Sequence, residues 1–222
     1  MRRYSRRILL ILTLTVMPAI LARLVVGAEH GVSVVGLGRD GETILEFIGR
    51  IDQNGANFTF IGYLTRVRAL NEASLFASGD PTARTEKTAH FTIKGETTLT
   101  SRSTLNNVFT VDSKGKLDIF FNETPSADFT NPGSFSAGDL IASFSISFQN
   151  AINAIAPAQG VSTGWGVLAQ TRAGQFRLDG RRLQFGRKDQ RERVSATGQG
   201  TLLDPAIPIS VIFITGNMVG LD

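Results

Sequence analysis

Leu140-Ile141-Ala142-Ser143-Phe144-Ser145-Ile146-Ser147-Phe148-Gln149 is the stretch whose reading decides the fold class. Leu140, Ala142, Phe144, Ile146 and Phe148 alternate with Ile141, Ser143, Ser145, Ser147 and Gln149. An extended chain sends successive side chains to opposite faces, so a period of two describes a strand with one apolar and one polar face. A slip of one residue would bury the serines, which makes the register firm.

The same pattern continues in both directions. Val32 to Val35 is a first apolar run. Thr43 to Asp52 and Phe58 to Arg66 flank Gln53-Asn54-Gly55-Ala56-Asn57, and Asn-Gly signals a hairpin because both residues tolerate positive φ. Thr88 to Lys94 and Thr97 to Leu105 read as strands about Gly95-Glu96, and Val108 to Asp112 and Leu117 to Asn122 as strands about Ser113-Lys114-Gly115-Lys116. Val161 to Gln170, Gln175 to Asp179, Leu183 to Phe185, Arg193 to Leu202 and Ile209 to Thr215 complete the set. β-Branched and aromatic residues dominate these runs, as a half-buried pleated surface favours. Ala69 to Ala77 and Asn150 to Ala156 are the places where a short helix or turn is expected.

Many short strands joined by Gly-rich turns imply an all-β fold. A single antiparallel β-barrel of about eight to ten strands is expected, with a β-sandwich as the alternative; hairpins favour the barrel, and closure removes exposed edges. The long connections 68–87 and 123–139 have the length of lids or binding loops. Phe129 and Phe135 in the second either cover a cavity mouth or pack the loop onto the outside, and the second outcome is the expectation.

The N-terminus has a different character. Arg2, Arg3, Arg6 and Arg7 precede an almost wholly apolar run from Ile8 to Ala22, and Val26-Gly27-Ala28 offers small residues for cleavage before Glu29. These are the three parts of a secretory signal of bacterial type. Residues 1–28 are therefore expected to direct export to the periplasm, cell envelope or medium, and 29–222 to form one all-β domain. A membrane association is expected only through this segment if it stays uncleaved. Ser5-Arg6-Arg7-Ile8-Leu9-Leu10 also resembles a twin-arginine motif, with Ile11 where a basic residue usually follows; the general-secretory route is the alternative.

Residues 1–28 contain five of the 23 Lys and Arg and none of the 19 acids, which leaves 18 basic against 19 acidic groups in 29–222. That balance speaks against nucleic acid as a partner, because phosphate binding needs a basic surplus. Cysteine is absent, so thiolate zinc sites, thiol nucleophiles and disulfide staples are excluded. The basic stretch from Arg181 to Arg193, interrupted by Asp189 and Glu192, reads as a solvated hairpin.

Catalytic motifs are weak. Gly36-Leu37-Gly38-Arg39-Asp40-Gly41 matches G-x-G-x-x-G, but the following Thr43-Ile44-Leu45-Glu46-Phe47 is strand-like, whereas a dinucleotide site needs a helix there. Gly133-Ser134-Phe135-Ser136-Ala137-Gly138 has one residue too many for a nucleophile elbow. Glu46, Asp52, Glu96 and Asp118 could meet as paired carboxylates inside a barrel, though strand carboxylates more often face water. No catalytic residue, metal ligand or cofactor is assigned.

Fifteen Phe in strand-rich sequence suggest instead a barrel interior that holds a small apolar ligand. Candidate ligand-binding residues are Trp165 in Gly164-Trp165-Gly166, Phe144, Phe148, Tyr63 and His90. A cyclase- or isomerase-type barrel enzyme and a structural or adhesion module of the envelope are the alternatives. The residues point to no known family, and comparison extends only to the class of exported or ligand-holding barrels, such as lipocalins and allene-oxide-cyclase-like or dirigent-like barrels. Lipocalins place a Gly-x-Trp early in the barrel; here the single Trp is late and follows Gly directly, so no residue or activity is transferred.

Overall fold

A computed structural model describes residues 31–221; the expected signal segment, its cleavage site and His30 lie outside the described residues. In chain order the strands are β1 (Ser33–Val35), β2 (Thr43–Asn54), β3 (Asn57–Val67), β4 (Phe91–Leu105), β5 (Val108–Phe121), β6 (Asp139–Ala156), β7 (Gln159–Ala173), β8 (Gln175–Leu178), β9 (Arg181–Phe185), β10 (Arg191–Asp204) and β11 (Ile209–Leu221). Eight of them close into an antiparallel barrel in the order β10-β11-β2-β3-β4-β5-β6-β7, with β7 pairing back onto β10. The sandwich alternative is thereby excluded.

Alternation builds the wall. In the opening stretch Phe144, Ile146 and Phe148 sit opposite Leu117, Gly115 and Ser113 of β5, and this face turns inward. Ile141 departs from the expected pattern: the β5–β6 register shifts there, leaving it as the extra residue, and it is fully buried in the core. Gly174 packs against its backbone and accepts no side chain there, so the chain leaving β7 covers it.

Three local expectations are corrected. Gly95-Glu96 and Ser113–Lys116 are not turns; β4 and β5 run through them as single strands of 15 and 14 residues. Ser113, Gly115 and Leu117 share the inward face while Lys114 and Lys116 share the outward one, so a cluster with turn-like composition keeps the period of two. Gly115 lets β4 come close, because a Cβ there would overlap Glu96 and Thr97. Asn150–Ala156 is strand rather than helix, since ladders to β5 and β7 satisfy its backbone on both sides and tertiary pairing overrides the modest preference of alanine.

The topology makes the two barrel ends unlike. The four hairpins of the barrel itself, β2–β3, β4–β5, β6–β7 and β10–β11, lie at one end. The opposite end is closed by a small sheet in the order β1-β9-β8. Its Phe176 packs on the inward Phe91 and Phe121, with ring centroids 5.5 and 5.0 Å apart. Gln170 of β7 fastens the cap: its Nε2 donates to the Phe185 and Arg172 carbonyls, and its Oε1 accepts from the Arg187 N–H. Most of the fully buried core, including Ile44, Leu45, Leu64, Phe91, Ile93, Ile119, Phe144 and Phe185, gathers toward this capped end.

The two long connections pack on the outside. The 3-10 turn Glu72–Leu75 lies against β3, where Phe76 meets Tyr63 edge-on at 6.2 Å. The 3-10 turn Pro132–Ser136 brings Phe135 onto Ile61, and the Thr92 hydroxyl donates to the Phe135 carbonyl at 2.8 Å. Ile61 and Thr92 belong to the outer face, so neither connection reaches the hairpin end.

Candidate functional site: the barrel lumen

The lumen is a graded space. Its inner part is a cavity of about 70 Å³ whose wall includes Phe47, Phe60, Phe148, Val194, Ile214 and Met218. Toward the hairpins it meets a wider mouth of about 490 Å³. Val111, Ile152 and Ile212 line both and form the throat.

Glycines keep the inner part open. A Cβ at Gly164 or Gly166 would overlap the Phe148 ring, and a Cβ at Gly49 would overlap Phe60. With hydrogen in those places the rings lie back against the wall instead of filling the centre. The glycines around Trp165 therefore accommodate the Phe148 ring of the neighbouring strand. Trp165 itself points out of the barrel and is 43 % exposed, beside Gln149 and Ser195 of the adjoining strands.

Of the five candidate residues, the structure brings only Phe148 to the cavity wall. Phe144 faces inward but lies wholly in the packed core nearer the cap. Tyr63 is on the outer face beneath the 68–87 connection, and burial, with Glu86 nearby, holds its phenol above the ordinary value. His90 sits at the capped end, where its Nδ1 lies 2.8 Å from the Asn122 carbonyl and its ring faces Phe121. The four strand carboxylates do not meet. Glu46 pairs with Arg66, Asp52 with Arg50, and Glu96 with Lys94 and Lys116, while Asp118 stands opposite Lys94, all on the outer face.

Between floor and mouth runs a polar belt. Ser113, Asn150 and Ser162 follow one another diagonally across β5, β6 and β7. The Ser162 hydroxyl donates to Asn150 Oδ1 at 2.7 Å. Across the lumen the Ser210 hydroxyl donates to Gln53 Oε1 at 3.0 Å. Asn150 is only 8 % exposed, and among the described residues its Nδ2 has no protein acceptor, which leaves a free donor facing the lumen.

At the mouth, Arg102 stands opposite the inward Val111, and its guanidinium stacks on Phe109 at 5.0 Å. It is the single charged residue lining the mouth. Among the described residues it forms neither an ion pair nor a side-chain hydrogen bond. The sequence reading passed over Arg102 because it sits in the Ser/Thr run before the β4–β5 turn; its opposition to Val111 would have been the signal.

One buried acid was also missed. Glu192 is completely buried, since it shares the inward face of β10 with Val194 and Ala196. Its Oε1 accepts from Gln190 Nε2 at 3.0 Å, while Oε2 has no partner. Loss of water pushes its carboxyl up to about 8, so the proton stays on at neutral pH. It lies beyond Val194, toward the cap, and does not line the cavity.

Among the described residues no cluster of three or more His, Asp or Glu is arranged to hold a metal. Comparison of the chain with protein-family models, with curated proteins and with solved structures finds no match. What fold and site define is a class: a closed eight-stranded antiparallel barrel, capped at one end and open through an apolar lumen at the other.

Proposed function

We propose that the protein is a non-catalytic, exported barrel that holds a small apolar ligand in its lumen. The observation that carries this reading is the cavity of about 70 Å³ with Phe47, Phe60 and Phe148 folded back on its wall, continuous with a mouth of about 490 Å³. A barrel of eight strands is just wide enough to be filled or to hold one small molecule, and glycines opposite phenylalanines tip this one toward holding. A module acting only through its outer surface has no use for that arrangement. An isomerase would need a carboxylate or imidazole acid–base group at the ligand, whereas His90 is at the cap and Glu46, Asp52, Glu96 and Asp118 face outward. The export part of the proposal rests on the composition of residues 1–28.

Native mass spectrometry of the protein, purified gently from its own host, tests the reading. A bound small molecule of defined mass is expected, and Ile152→Trp, which places an indole in the throat, is expected to lose it while keeping the wild-type strand spectrum. An apo mass for the wild type, with no thermal shift across alkanes, alcohols and lipids, would overturn it.

A further inference from the structure

The lumen changes character along its axis, and the order of that change selects a ligand. Its floor is built from aromatic and aliphatic side chains, its middle carries Ser113, Asn150 and Ser162, and its mouth carries Arg102. Neither the inner cavity nor the mouth is lined by a carboxylate. Lys116 touches the inner cavity but belongs to the outward face, where its ammonium lies 3.8 Å from Glu96. The positive charge is thus confined to the hairpin end.

Building on the ligand-holding reading above, we infer that the occupant is a single-chain amphiphile with a carboxylate head. Its chain lies on Phe47, Phe60 and Phe148 and its head meets Arg102. An apolar tail is favoured at the floor because burial there removes it from water. The head belongs at the mouth, where a charge keeps part of its hydration and so avoids the cost of full burial. The Arg102 guanidinium lies over the Phe109 ring, 5.0 Å from its centroid, and among the described residues no protein acceptor takes its N–H groups. A planar fork with free donors matches the two oxygens of a carboxylate. A cationic head would meet Arg102 with like charge, and a neutral head would leave its donors to water.

Calorimetric titration of the full-length, processed protein with decanoate, 1-decanol and decyltrimethylammonium distinguishes these cases. Decanoate is expected to bind about tenfold more tightly than decanol, the scale of one charge-assisted contact at a partly wet site. Decyltrimethylammonium is expected to bind most weakly. Arg102→Gln, a substitution near a hairpin tip, is expected to remove the preference for decanoate and leave decanol unchanged. Equal affinity for decanoate and decanol in the wild type, or a preference that survives Arg102→Gln, would overturn the carboxylate inference and leave the lumen reading standing. Failure of all three probes to bind the wild type would overturn both.

Discussion

At the scale of single residues, the inward face of the barrel sets what each side chain does. Glu192 looks in sequence like one more charge in the basic stretch 181–193, but its parity with Val194 and Ala196 turns it inside. Its neighbours Arg191 and Arg193 are exposed, so the strand pattern was legible there even though the composition misled. The consequence for stability has a definite sign. A carboxyl whose value rises from 4.5 to about 8 on folding binds its proton more tightly in the folded state. The folded state is therefore favoured fully below 4.5, and that advantage is lost as pH rises through about 8. Glu192→Gln keeps the shape and cannot ionise. Urea unfolding from about pH 5 to about pH 9 should show the variant gaining on the wild type with rising pH, by up to tenfold in the folding equilibrium per pH unit, and levelling off above the folded value. A pH-independent difference would mean that the carboxyl is hydrated in the folded protein. Trp165 shows the same limit of sequence reading. Its flanking glycines make room for Phe148 of β6, and that pairing is not local.

Elements were more legible than residues. Every strand expected from alternation appears, because a two-residue period with one apolar face has few other ways to bury itself. The errors fell where turn-like composition and strand-like period disagreed. Gly95-Glu96 and Ser113–Lys116 contain the residues of turns, yet the inward Gly95, Ser113, Gly115 and Leu117 preserve the period, and pairing with neighbours decided the outcome. The cap was not foreseen. Its short strands are readable, but their docking depends on Gln170, a polar residue at an inward position of β7. Three backbone groups of the chain around the cap use that one side chain. Gln170→Leu would leave the buried Phe185 carbonyl without its donor, at about 1–3 kcal/mol for a buried group left unpaired, while the Arg187 N–H keeps Gln190 Oε1 at 3.3 Å. The expected result is a lower urea midpoint together with faster amide exchange in β8 and β9. An unchanged exchange rate there would assign the cap's stability to Phe176 and its aromatic neighbours alone.

The whole molecule combines a closed wall with unequal ends. Closure pairs every barrel strand on both sides, which leaves edges only in the small cap. Because each barrel connection at the hairpin end is short, the mouth is framed by four tight turns, while the long connections 68–87 and 123–139 lie on the outer wall and at the capped end. Their length is that of lids, yet Phe129 and Phe135 pack the second onto the outer wall as expected, and length alone carries no information about which face a loop packs on. The ligand-holding reading proposed above therefore predicts asymmetric access: a ligand entering at the mouth would order the hairpins and throat and leave the cap unchanged. Hydrogen exchange measured with and without decanol tests this for the molecule as a whole, since a ligand that binds the folded state protects the segments it stabilises. Added protection is expected at 54–57, 105–108, 156–159 and 204–209, with β1, β8 and β9 unchanged. Protection concentrated in the cap would place entry at the opposite end and make Phe176, rather than Ile152, the residue that controls the lumen.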